Sequence, residues 1–230
     1  MAGERISGIS SMAMRQVLAE LCEDYRRRSG GEVAVASMGG VEVLRRVESG
    51  EAFDFVVSAA EAIEKLAASG RVDRGSRRDL TRSGVAIAVA AGAQRPAVGS
   101  ETDLRRAVLE ARSIGYSTGP SGTHLTRLFE RWGISADIAS RIVQAPPGVP
   151  VAALIARGEV ELGFQQLSEL IGVPGIEVIG PLPPGTQVVT VFSAAACCTS
   201  AEPDAVAALL AFLASPGADA TKRRHGMEPA

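Results

Sequence analysis

Gly84-Val85-Ala86-Ile87-Ala88-Val89-Ala90-Ala91 carries no charge and is built from small and β-branched side chains. Such a run reads as a strand covered on both faces. A second long uncharged stretch, Thr186–Cys198, reads the same way. Before the first stretch, apolar runs and amphipathic segments alternate: strands over Arg5–Ile9, Glu32–Ala36 and Phe53–Val57, helices over Met12–Arg28, Val41–Glu48 and Ala60–Ala68. Between the two long strands a second series follows, with helices expected over Asp103–Ala111, Thr123–Trp132 and Pro150–Ala156. Its strands are expected over Ser113–Tyr116, Ile142–Gln144, Glu161–Phe164 and Glu177–Ile179. Asp204–Ala214 and Gly217–Arg224 read as closing helices. The alternation defines an α/β chain. Its two flanking strands suggest a chain that leaves one lobe near residue 82 and returns near 188. The expected organisation is lobe I over 1–81 plus 189–230 and lobe II over 82–188. Each lobe is a mixed sheet flanked by helices, and two crossing strands hinge near Arg82–Gly84 and Val188–Val191. Such lobes enclose a cleft, a preferred place for ligands. A single doubly wound sheet also fits the alternation.

Composition narrows the function. The 230 residues are 46% hydrophobic and 22% charged, enough for a substantial core. Basic residues (24) nearly balance acidic ones (26), so no strong field points to nucleic acid or an anionic membrane. Arg26-Arg27-Arg28 reads as a solvated helix end. Three cysteines argue against a disulfide framework, and no CxxC or Cys/His spacing suits zinc. Cys197 and Cys198 are expected to pack, and neither metal nor cofactor is implied. The charge-free stretch Val178–Ala201 is interrupted by Pro181, Pro183, Pro184 and Gly185, which excludes a membrane span. Met1–Arg5 shows no apolar export signal, so the chain as written is expected in the cytoplasm; a chain trimmed of its signal would be periplasmic and read identically.

The strand-to-helix junctions carry the chemistry. Gly8-Ile9-Ser10-Ser11, Ser37-Met38-Gly39-Gly40, Gly119-Pro120-Ser121-Gly122-Thr123 and Pro146-Pro147-Gly148-Val149-Pro150 each place small residues or hydroxyls at a helix start. Free N–H groups and the positive end of the helix dipole make such a start an anion site, though the same residues also serve as ordinary caps. None of the four contains Lys or Arg. The expected ligand is therefore a compact anion whose oxygens accept many hydrogen bonds.

The succession Ile6-Ser7-Gly8-Ile9-Ser10-Ser11-Met12, Ala36-Ser37-Met38-Gly39-Gly40, Asp54-Phe55-Val56-Val57-Ser58, Glu159-Val160-Glu161-Leu162-Gly163-Phe164 and Ala211-Phe212-Leu213-Ala214-Ser215-Pro216 resembles the molybdate-binding solute-receptor family over nearly the whole chain. The resemblance implies the two-lobed type II periplasmic-binding-protein fold, closing over a small oxyanion or carboxylate. It also implies a monomer and, for an exported chain, an ABC permease as partner. It places oxyanion contacts near Ser10 or Ser11, near Ser37 with Met38 and Gly39, at Ser121, Gly122 and Thr123, and around Gly148, Val149 and Val151.

The later contact of that family, often a tyrosine, falls on Gln166. The exchange replaces a phenol with an amide that both donates and accepts, which suits a carboxylate as well as a tetrahedral oxyanion. The family's surroundings include enzymes that isomerise small unsaturated polycarboxylates such as aconitate. That activity needs a proton carrier, for which His124 or a carboxylate of the cleft is the candidate. Tyr116 reads as cleft-lining or core, His225 as surface, and Glu159 and Glu161 as solvated. No phosphate-binding loop, nucleophile elbow or HExxH zinc motif is present.

Overall fold

Alternation of apolar side chains in three short strands, each followed by a helix with one apolar stripe, builds the first part of the computed structural model, which describes residues 5–146 and 148–230. Strand β1 (Arg5–Ser11) leads through a single 3-10 turn into α1 (Arg15–Ser29). Then follow β2 (Glu32–Met38), α2 (Gly40–Glu48), β3 (Phe55–Ala59), α3 (Ala60–Ala68) and the long β4 (Arg78–Ala90). The second series is α4 (Glu101–Glu110), β5 (Ile114–Tyr116), α5 (Pro120–Arg131), α6 (Ser135–Ile138), β6 (Ile142–Gln144), α7 (Val151–Ala156), β7 (Leu162–Gln166), α8 (Leu167–Leu170) and β8 (Ile176–Pro181). The chain finishes with β9 (Val189–Ala196), α9 (Pro203–Leu213), α10 (Asp219–Arg224) and β10 (Glu228–Pro229). Among the described residues, no helix is long and apolar enough to cross a membrane.

The chain divides into two compact units, Met1–Ser83 with Thr190–Ala230 and Gly84–Val189. In the first unit β2, β1 and β3 are parallel neighbours, β9 runs antiparallel to β3, and β10 pairs with the first half of β4. Ile6, Phe55 and Val57 meet Leu18, Leu21 and Leu209 on one face of the sheet. Ile9 and Val56 meet Val43, Ile63 and Leu66 on the other. In the second unit β7, β5 and β6 are parallel, while β7 and β8 both run antiparallel to the second half of β4.

The decisive stretch shows why it lacks charge. Val85, Ile87 and Val89 enter a core with Leu104, Phe129 and Phe164, while Ala86 and Ala88 enter a second core with Val151, Ile155 and Leu170. Both faces are covered, so neither tolerates a charge.

Several expectations need correction. β4 starts at Arg78, because Arg78, Asp79 and Arg82 are exposed while Leu80, Thr81 and Ser83 are buried. Residues 186–188 are not strand, since the Pro183 carbonyl accepts both the Thr186 N–H (3.0 Å) and its hydroxyl (2.8 Å), closing a turn. Cys198 is exposed because β9 ends at Ala196. Cys22 and Cys197 are buried, and burial pushes both thiols up to about 12. His225 is half-buried at the surface, its Nε2 lying 2.8 Å from Glu20 Oε2. Glu161 is tied to Arg112, whose N–H it accepts at 2.6 Å, rather than freely solvated. Of the two readings open for Tyr116 the core one holds, its ring lying 6.3 Å from that of Phe129. The short elements α6, α8 and β10 escape a reading based on periodicity, which needs longer windows.

Candidate functional site

Three parallel strands in each unit end at one edge, so the residues that follow them share that edge. In the first unit Ser10, Ser11, Ser37 and Met38 are the last residues of β1 and β2 rather than loop residues. The parallel register pairs Ser10 with Ser37 and Ser11 with Met38. Neighbours along a strand face opposite ways, so the two serines of β1 have different surroundings. Ser10 Oγ is buried 2.8 Å from Ser37 Oγ and 3.4 Å from the Ser11 carbonyl oxygen, so its hydroxyl is satisfied within the protein. Ser11 Oγ is buried without a hydrogen-bond partner among the described residues. Beside it, Gly39 precedes α2 with no side-chain cap, leaving the first amides of a nine-residue helix open. Around Gly40 there is room: a Cβ there would stand an ordinary 3.9 Å from the Ser58 hydroxyl. No cation lies within these junctions, but Arg46 of α2 reaches back until its Nη1 lies 3.5 Å from the Met38 sulfur, while pairing with Glu51.

In the second unit α5 starts at Pro120, so Ser121, Gly122 and Thr123 form its first turn. Pro120 has no N–H to leave over, and the Thr123 N–H returns to the Gly119 carbonyl at 3.1 Å. Helix geometry therefore leaves the Ser121 and Gly122 amides as the donors of this turn. Ser121 and Gly122 are buried and Thr123 is exposed. The 146–151 junction differs. The Val149 N–H is engaged by the Pro146 carbonyl at 3.0 Å, and the Val151 N–H donates to Gln165 Oε1 at 3.0 Å. Gly148 takes φ +80° to make that turn. Pro147 lies outside the described residues. Gln166 is buried at the end of β7, opposite Val85 of β4.

His124 is held by structure. Its Nε2–H donates to the Thr186 carbonyl at 2.7 Å, tying α5 to the turn before β9 and leaving Nδ1 as the ring's acceptor when neutral. His124→Gln keeps a donor of similar reach and is expected to change ligand affinity by less than ~1 kcal/mol, as for one neutral hydrogen bond exchanged for another. A calorimetric titration of both proteins checks this; a larger loss would make the imidazole itself a ligand.

The residue that sequence reasoning missed is Glu169. It sits in the short α8, and the Gln165 amide donates from Nε2 to its Oε1 at 2.7 Å. Burial pushes its carboxyl up to about 7, against the pull of that hydrogen bond. Ser168 beside it buries a hydroxyl with no partner among the described residues. The signal available in the sequence was the pair Gln165-Gln166 closing an apolar strand. Among the described residues no group of three His, Cys, Asp or Glu side chains could hold a metal ion.

Two mixed α/β units, with the chain passing from one to the other and back, define the type II periplasmic-binding-protein fold. The chain belongs to the bacterial extracellular solute-binding protein family, whose profile matches residues 6–228. It is 36% identical over 227 residues to an aconitate isomerase from Pseudomonas sp., covering 96% of this chain and 86% of that protein. Among solved structures it is similar to the periplasmic molybdate-binding protein of Azotobacter vinelandii, with a TM-score of 0.81, 21% identity, and 96% and 98% of the two chains covered. The substrate-binding domain of a putative molybdenum ABC transporter from Clostridium difficile matches with a TM-score of 0.74 and 14% identity, covering 98% of this chain and 99% of that one.

Proposed function

We propose that this chain binds a small anion rich in oxygens, such as an oxyanion or a short polycarboxylate, through hydroxyls and helix-start amides rather than through cations. The observation that carries the reading is Ser11, a buried hydroxyl without a partner among the described residues, beside the uncapped start of α2. A buried polar group is stable only when it meets a partner, and an anion oxygen supplies one. As a receptor the protein acts as a monomer outside the cytoplasm and delivers its ligand to an ABC permease, in keeping with its family.

A second reading is an isomerase of a small unsaturated polycarboxylate, working as a cytoplasmic enzyme. The 36% identity to an aconitate isomerase and the amide of Gln166, which suits a carboxylate, favour it. Such a reaction removes a proton from carbon, shifts the double bond and returns a proton elsewhere, so it needs an acid–base group beside the substrate. Calorimetry with molybdate, tungstate, citrate and trans-aconitate, together with ultraviolet absorbance of the trans-aconitate mixture over time, separates the readings. Binding without an absorbance change supports the receptor; turnover supports the enzyme.

Two serine variants test the site itself. Ser11→Ala removes a hydroxyl with no partner among the described residues, so stability should hold or rise slightly while affinity falls by about 1.5–3 kcal/mol. Ser37→Ala takes from the buried Ser10 hydroxyl its 2.8 Å partner and leaves it only the longer bond to the Ser11 carbonyl at 3.4 Å, so unfolding free energy should fall by up to about 1 kcal/mol along with affinity. Chemical denaturation paired with calorimetry reads both quantities. If Ser11→Ala destabilises the fold and binds normally, the hydroxyl is structural.

A further inference from the structure

Gln165 is 2% exposed and its amide has only one orientation that satisfies its neighbours. Val151 at the start of α7 is a donor, so the amide oxygen must face it; the amide nitrogen then faces Glu169. An NH2 group donates, so Glu169 Oε1 can only accept, and any proton on this carboxyl resides on Oε2. The bridge joins the start of α7 at Val151 to the β7–α8 junction, at the edge where the second unit's parallel strands end. We propose that Glu169, oriented by Gln165, is the group through which this edge exchanges a proton with the bound anion: Oε2 carries an O–H that donates to a ligand oxygen.

The inference rests on the anion-binding reading and names a residue for it. Strands β7 and β8 pack against α8, and α7 is joined to it through Gln165. α7 and β7 carry no charged side chain, α8 carries only Glu169, and β8 carries only Glu177, which is paired with Arg95. These elements therefore bring no unpaired cation to an ionised Glu169, and burial pushes its carboxyl up to about 7. An anion arriving beside the ionised form is repelled; beside the neutral form it gains a donor. Binding then proceeds with uptake of one proton from solvent onto Oε2, and no other bond changes.

The test is calorimetry at pH 8 in two buffers of different ionisation enthalpy, with trans-aconitate and with molybdate as probes, both fully ionised there. The wild-type protein should take up about 0.9 proton per anion, since a carboxyl titrating near 7 is mostly ionised at pH 8. Its affinity should fall roughly tenfold for each further pH unit. Glu169→Gln keeps an acceptor for Gln165 and offers an N–H in place of the O–H. It should bind with no proton uptake, with affinity unchanged between pH 6 and 9, and about tenfold more tightly than wild type at pH 8. Equal uptake in both proteins, or wild-type binding without uptake, overturns the inference while leaving the anion reading intact. Failure of both probes to bind wild type overturns the two together.

Discussion

Replacing Gly122 with alanine is expected to lower the unfolding free energy by at least about 3 kcal/mol, the upper part of the range for overpacked sites. A Cβ at this position would stand 1.7 Å from the Ser117 carbonyl oxygen and 3.0 Å from Tyr116 Cδ2. The first is backbone and cannot rotate away, so either the 117–119 segment or the first turn of α5 must move. Tyr116 belongs to the core with Phe129, which limits the retreat. That turn offers the Ser121 and Gly122 amides, so ligand affinity should fall with stability. Gly119→Ala is the control: its Cβ would meet only the Ser117 hydroxyl, at an ordinary 3.5 Å, and φ is −77°. Urea denaturation should show a large drop in midpoint for Gly122→Ala and under ~1 kcal/mol for Gly119→Ala. Similar small losses in both would mean that the β5–α5 connection adapts freely.

Glu169→Gln should reverse the ordinary effect of losing a charged side chain. The Glu169 carboxyl sits near 7 in the folded protein and near 4.5 when unfolded. A folded-state value raised in this way contributes stability that is fully present below 4.5 and is lost as pH rises through 7, because the buried carboxylate must then be carried without a counter-charge. With allowance for its partial exposure, the loss in wild type by pH 8 is about 2–3 kcal/mol. Glutamine has the same shape, keeps the bond from Gln165 and does not titrate. The variant should therefore match wild type near pH 4.5 and exceed it by about 2–3 kcal/mol at pH 8. Unfolding free energies at the two pH values read the difference directly. An offset that does not change with pH would show that burial of charge is not what governs this residue.

Much of this molecule was legible in the chain because the relevant physics is local. Gly84–Ala91 reads as a strand covered on both faces, and Val85, Ile87 and Val89 do enter one core while Ala86 and Ala88 enter another. Hydroxyls and small residues at the strand-to-helix junctions follow from what an uncapped helix start requires, and Ser11, Gly39 and Ser121–Gly122 stand at such starts. The elements that escaped, α6 and α8, are four residues each, too short for a hydrophobic period to declare itself.

What tertiary structure alone decided was how the polar groups are paired. Ser10 and Ser11 are adjacent and chemically alike, yet the β1–β2 register gives one to Ser37 and leaves the other with no partner among the described residues. The Val149 and Val151 amides look like donors in the sequence, and the fold gives one to Pro146 and the other to Gln165. His124 looks like a proton carrier, and the turn before β9 engages its Nε2–H. Glu169 carries no mark in the sequence, because its position near neutrality comes from the burial around it, against the pull of an amide four residues away. Backbone periodicity is written along the chain, residue by residue. The environment of a hydroxyl, an amide or a carboxyl is written by whatever packs against it, and that exists only once distant segments have met.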